Sequence, residues 1–355
     1  DAMQASLLSL HEGAVAQRDQ LNGALYRNDV ALPFLQGSAE GRLDDAIGKM
    51  NLQIEGRYLF SGRSTDTQPV VSSDAMLDGD GEGKAAGLVD VMTRRLLGDG
   101  DFVAPGPGGD KDPTIALQAS NPTATEVQVS DPDAALGLTF LGFENSFGAS
   151  TSSDTDAAAG PGVVGVDDDA KDEVTLDLAS GTPINDGDTV TANLRMPDGG
   201  DLELVLVAGN APGRIEGLPM EGGKQSLRVS FDRGASATDA ATSLRDVLNQ
   251  AITDIRNDPA FEGASLARAA DDFFHEDGPR WVDGGTLQAA SEDDVVHWYR
   301  GDDEGDPAAS QLARIADGTI VDYGVRANQG ELRDTIKQTA MIAAIGPYDP
   351  SDLDA

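Results

Sequence analysis

The side chains able to do chemistry are few, and their spacing does not suit it. His11-Glu12 opens like the helix of a zinc protease, but the residue four positions after His11 is Val15, so the second imidazole ligand is missing. The pair reads as a solvated helix face. His275 and His297 are the remaining histidines, and His297 lies in the alternating run Val295 to Tyr299, where an ordinary sheet residue is expected. No serine, histidine and acid arrangement is recognisable. With no cysteine there is no thiolate nucleophile, no thiolate metal site and no disulfide.

Gly217 to Ser226 ends in Gly-Gly-Lys-Gln-Ser, but its glycine spacing is off by one for a phosphate loop and Gln225 replaces the hydroxyl residue after the lysine. Asp78, Asp80 and Glu82 followed by Gly83 imitate the first half of a calcium loop. The twelfth position is Val89, which supplies no bidentate carboxylate. Asp167-Asp168-Asp169 reads as a solvated turn. A glycoside hydrolase needs two carboxylates roughly 5 to 10 Å apart beside a stacking aromatic. Trp281 and Trp298, the only tryptophans, leave a sugar cleft without sequence support. The expectation is a non-enzymatic protein with no catalytic residue, no cofactor and no metal.

The elements that must position these residues have two characters. Met3, Leu7, Leu10, Ala14, Leu21 and Ala24 follow a four-three spacing, with Gln17 in one seam position, and predict a rod-like helix. Pro33 is expected to stop it. Ser38 should open a second helix whose stripe of Leu43, Ile47, Met50, Ile54 and Tyr58 ends at Ser61-Gly62. From about Val70, glycine, proline, aspartate and serine become dense and short alternating runs replace the stripes.

Val174, Leu176 and Leu178 predict one strand, and Val190 to Met196 and Leu202 to Leu206 predict a hairpin across Pro197-Asp198-Gly199-Gly200. Leu227, Val229 and Phe231 add a strand. Ser236 and Asp239 stand in capping-box spacing ahead of a helix carrying Leu244, Val247, Leu248 and Ile255, with Pro259 as its stop. Two strands flank Asp317-Gly318, and a last helix from Gly330 presents Leu332, Ile336, Ala340 and Ala343. Apolar faces at both chain ends need cover, so the expected fold is α+β. A discontinuous rod-like helical bundle with a β-hairpin region is built from 1–75 and 290–355, and a β-rich α+β domain is inserted at 76–289.

Composition narrows the partners. Acidic residues number 62 against 25 basic ones, a net charge of -37 that repels phosphate backbones and anionic headgroups, so neither nucleic acid nor membrane is an expected partner. Such acidity reads as a solubility device rather than a cation site. Aromatics at 5% leave the core to aliphatic side chains and alanine. No apolar run reaches the roughly 18 residues of a membrane span, and nothing at Asp1 resembles a signal peptide or an initiator methionine, which suggests a trimmed chain.

Asn51-Leu52-Gln53-Ile54-Glu55-Gly56-Arg57-Tyr58-Leu59-Phe60-Ser61-Gly62, followed by Thr65-Asp66-Thr67-Gln68-Pro69, resembles the segment closing the second core helix in the bacterial flagellin family, most like flagellar hook-associated protein 3. Tyr323-Gly324-Val325-Arg326-Ala327-Asn328, leading to Glu331-Leu332-Arg333, is similar to the start of that family's C-terminal core helix. The resemblance covers about 1–75 and 290–345, and the middle agrees mainly in style. It implies an extracellular structural protein, exported without a cleaved signal peptide, that joins hook to filament by self-assembly through a helical core. Its implied partners are copies of itself, a neighbouring hook-associated protein and flagellin. The extreme terminal helices of the family have no counterpart in the sequence, which implies that this chain alone is monomeric. A filament flagellin, or a surface module binding carbohydrate or cations, is the alternative.

The charge argument gives a direct check: at physiological salt the protein should show no retention on DNA and no sedimentation with anionic liposomes, and binding to either would contradict it.

Overall fold

The computed structural model describes residue 8 and residues 32–81, 85–100, 117–130, 136–154, 173–213, 225–283, 285–303, 312–316, 319–322 and 324–345. Met3, Leu7, Leu10 and Leu21 lie outside the described residues, as does the stretch expected to form the first rod. The chain is a mixed α+β protein.

Helix α1 covers Leu32–Met50. Pro33 does not stop a helix before Ser38: it lies inside the described helix, which runs through Ser38 to Met50. Leu43, Ile47 and Met50 form the buried face, as the stripe predicts. The stripe ends sooner than expected, since Ile54 is 43% exposed and Tyr58 has left the helix. Strands β1 (Gln53–Ile54) and β2 (Arg57–Tyr58) form a hairpin there. Glu55 at φ 52° and Gly56 at φ 78° supply the two left-handed residues of a type I′ turn. Asn51 ends the helix by binding the Val70 main chain both ways, its amide donating to the carbonyl at 2.9 Å and its oxygen accepting from the N–H at 3.0 Å. Ile54 therefore belongs to a hairpin tip rather than to the helical core.

Two helices absent from the sequence reading follow, α2 at Ser73–Asp78 and α3 at Leu88–Asp99. The sheet-bearing region then supplies β3 (Gln118–Ser120), β4 (Glu126–Ser130), β5 (Thr139–Asn145), β6 (Ser150–Asp154), β7 (Glu173–Asp177), β8 (Thr189–Arg195), β9 (Asp201–Gly209) and β10 (Gln225–Asp232). One four-stranded sheet has the order β3-β4-β7-β6 and is antiparallel. The other, β10-β9-β8-β5, is antiparallel except for the parallel pair of β9 and β10. The expected hairpin is present, with Val190 opposite Leu206 and Leu194 opposite Leu202. Alternating burial along β8 and β9 turns Val190, Ala192, Leu194, Leu202, Leu204 and Leu206 inward.

Helix α4 (Ala237–Arg256) lies against β10, β3 and β4, so it touches both sheets. Its capping box forms as predicted: the Ser236 hydroxyl accepts from the Asp239 N–H at 3.2 Å. Asn249, on the same helix, clamps β3 by giving to and accepting from the Ala119 main chain at 2.9 Å each way. Pro259 does not merely end a helix. It is the first residue of another, α5 (Pro259–Phe273), capped by Asp258. Hairpin β11 (Arg280–Asp283) with β12 (Thr286–Ala289) follows, then β13 (Leu312–Ala316) with β14 (Thr319–Asp322), and finally α6 (Gly330–Ala344).

Buried apolar side chains form two cores, whose division differs from the expected boundaries at 75 and 290. One core draws on residues from Leu117 to Ala264. The other joins Leu43 to Met92, Leu266 to Phe274, Val295 to Trp298, and Ala327 to Ala344. Helices α2, α3 and the second half of α5 thus belong with the chain ends, although glycine-dense loops around them gave those stretches the composition of a β-rich insert. Helices α1 and α6 pack antiparallel in this second core, where Leu43, Ile47 and Met50 share one cluster with Ile336 and Ala340. Leu332 packs at its margin, and the Gln36 side chain donates to the Ile345 carbonyl.

Leu43→Ala should cost about 2 to 5 kcal/mol in urea denaturation, the penalty of a core cavity. Ile54→Ala should stay within about 0.5 kcal/mol, and an equal cost at both positions would contradict the assignment of Ile54 to the hairpin tip.

Candidate functional site

The two stretches that carry the family resemblance meet. After the hairpin, Phe60 enters the core with no exposure, and Ser61 pairs antiparallel with Arg326. The Ala327 N–H donates to the Phe60 carbonyl at 3.0 Å. A third segment completes the junction: the Val71 N–H donates to the Trp298 carbonyl at 3.1 Å, and the Asp302 N–H to that of Ser61 at 2.9 Å. Arg57 and Tyr58 lie in the hairpin, with Leu59 packed at the core margin and its N–H bonded to the Leu52 carbonyl. Gly324 and Ala327 are buried, and Val325 and Asn328 half-buried.

At the centre stands Arg326, only 2% exposed, with Nη2 3.7 Å from a carboxylate oxygen of Asp302. The Arg63 N–H donates to the same oxygen at 3.3 Å, and Arg63 Nε lies 3.9 Å away. The Tyr299 hydroxyl donates to the Asp302 carbonyl at 3.1 Å, and burial pushes that hydroxyl's pKa above the ordinary tyrosine range. Gly62 has φ 65°, and a Cβ there would stand 2.9 Å from the Asp302 carbonyl oxygen, so any other residue is strained by both the backbone angle and the space. Asp302 escaped the sequence reading because it opens an acidic run that looks solvated. The available signal was Arg326 itself, since an arginine set between Val325 and Ala327 at the foot of an apolar helix needs an anion inside.

Beside the junction is a cavity of about 60 Å³, room for water rather than for a substrate, lined by His275, His297, Trp298, Tyr299, Asn328 and Arg333 among others. His275 and His297 border the same space. Burial and then the Arg280 charge lower the His275 pKa, and its Nδ1 accepts from the Asp277 N–H at 3.2 Å. His297 has a ring nitrogen 3.4 Å from the Ala290 carbonyl. Both tryptophan rings are engaged: Trp298 is buried against Phe274 and Tyr299, and Arg94 sits 4.5 Å over Trp281.

A larger groove of about 440 Å³ lies between 178–184 and 233–237. Its polar groups serve the fold, with Arg233 paired to Asp186 at 2.6 Å and the Ser236 hydroxyl bonded to Asp239. Among the described residues no group of three or more acidic or histidine side chains is arranged to hold a metal ion. His11, Glu82 and Asp167 to Asp169 lie outside those residues.

Comparison with protein-family models, characterised proteins and solved structures finds no match. The junction at Arg326 is thus the arrangement on which a functional reading rests.

Gly62→Ala should destabilise the fold by about 1 to 3 kcal/mol, through the left-handed backbone and the contact with Asp302. Gly56→Ala, equally left-handed but in open space, should cost no more than about 1 to 2 kcal/mol; a reversed order in urea denaturation would contradict the close approach at Asp302.

Proposed function

We propose that this chain is a structural, non-enzymatic subunit of the bacterial flagellum that forms the junction between hook and filament. The observation carrying this reading is the pairing of Ser61 with Arg326, which unites the two stretches that resemble the ends of a flagellin-type core. Support also comes from the antiparallel packing of α1 and α6 above that pairing. In this reading the helical core belongs to a rod and supplies the contacts with copies of the same chain, with a neighbouring hook-associated protein and with flagellin. The sheet-bearing region is the outward, variable part. The subunit is extracellular and exported without a cleaved signal peptide. Its acidity keeps unassembled copies apart and soluble.

Deleting the gene in the source bacterium should leave complete hooks without filaments, with flagellin released into the medium, and a plasmid copy should restore filaments. Electron microscopy and analysis of the medium read this out. Filaments of normal length in the deletion strain would overturn the proposal, whereas bare hooks with no filament protein in the medium would identify the chain as the filament subunit itself.

A further inference from the structure

Two hydrophobic cores in one chain need something that holds each at a fixed angle to the other. One link is covalent: α5 is a continuous helix whose Phe261 and Ala264 lie in the sheet-bearing core, while Leu266, Ala269, Ala270 and Phe273 lie in the helical one. The second link is a cluster of buried charges beside it. Arg95 of α3 is 3% exposed, and its Nε donates to the Asp99 carboxylate at 2.9 Å. Its Nη1 donates to the Asp272 carboxylate on α5 at 3.1 Å. Asp99 is 1% exposed and Asp272 2%.

The remaining contacts reach across the divide. Asp99 also accepts from the Gly137 N–H at 2.8 Å, on the main chain leading into β5 of the sheet-bearing core. A Cβ on the neighbouring Gly98 would stand 3.1 Å from a methyl of Val282 and 3.3 Å from one of Leu136, so α3 approaches both hairpin β11–β12 and that same chain closely. Arg268 adds a half-exposed counter-charge 3.5 Å from Asp272.

Apolar residues of similar volume at these positions would hold α3 to α5 at least as well, because charges taken out of water cost several kcal/mol each before they attract one another. Burial holds the Asp272 carboxyl above the usual carboxylate range in spite of Arg95, which marks the same cost. What the ions add is direction. A planar guanidinium satisfies two carboxylates on different helices in one arrangement, and Asp99 is then placed to receive Gly137. We infer that Arg95, Asp99 and Asp272 form a coupling joint, which fixes the sheet-bearing unit on the helical unit in one orientation and makes the two cores unfold as a single cooperative body.

The test uses the full chain and a separate probe for each core. Both tryptophans belong to the helical core, so their fluorescence reports on it, and amide exchange of β8 and β9 reports on the sheets. In urea the two midpoints should coincide for the unmodified protein. Arg95→Lys keeps the charge but loses the fork, and Asp99→Asn keeps the shape but loses the charge. Each should separate the two midpoints by about 0.5 M urea or more while leaving both cores folded without urea. Asp246→Asn, on the exposed face of α4, should leave the midpoints together. Coincident midpoints in every cluster variant that folds, or midpoints already apart in the unmodified chain, overturn the inference.

Discussion

An arginine buried between distant stretches of chain is the constraint to which the helical core answers. Arg326 cannot remain charged in an apolar interior without a counter-ion and hydrogen-bond acceptors. Asp302 meets part of that need, and it is held in turn by the main chain of Ser61 and Arg63, two residues that lie 239 positions earlier in the case of Arg63. Gly62 lets those strands approach, and Tyr299 fixes the loop from which Asp302 projects. Helices α1 and α6 leave this junction side by side, so their apolar stripes face each other because their feet are tied.

Local signals were legible in proportion to how local their physics is. The Ser236 and Asp239 cap, the hairpin across Pro197 to Gly200 and the periodicity of Leu43, Ile47 and Met50 depend on near neighbours, and all three appear as expected. Ile54 continued that periodicity in the sequence, yet Asn51 finds its partner at Val70 and the helix stops. Nothing within a helical turn of Asn51 announces that partner. The same holds for α3 and α5, whose stripes are interrupted by Arg95 and Asp272, polar residues that read as surface until each is seen to satisfy the other. Pro259 reads as an end in the sequence because proline marks the first turn of a helix as readily as the close of the one before. Of the candidate site, both resembling stretches were legible; Asp302, which joins them, was not.

The distribution of charge separates two uses of arginine. In a chain of net charge -37, cations are scarce, and two stand inside: Arg95 answers the buried Asp99 and Asp272, and Arg326 answers the partly buried Asp302. Others sit nearer the surface, as Arg195 beside Asp201 or Lys337 between Asp271 and Asp334, in pairs worth less than about 1 kcal/mol each. Among the described residues whose burial is shown, every acid but Asp99 and Asp272 is half-buried or exposed. The interior is thus tightly specified by ions while the exterior carries a repulsive field that dissolved salt weakens.

The pairing of Ser61 with Arg326 also sets an order in time. During synthesis, every strand of the two four-stranded sheets and the helix that covers them leaves the ribosome before residue 326 does. Among the described residues the sheet-bearing core runs from Leu117 to Ala264, so it can close while α1 still waits for its partner. Once that core has formed, the chain between Ser61 and Arg326 is no longer a long flexible loop but a compact spacer, and the entropy lost in joining its ends falls accordingly. Helix α6, made after the sheets, is then the one that completes the cover of α1.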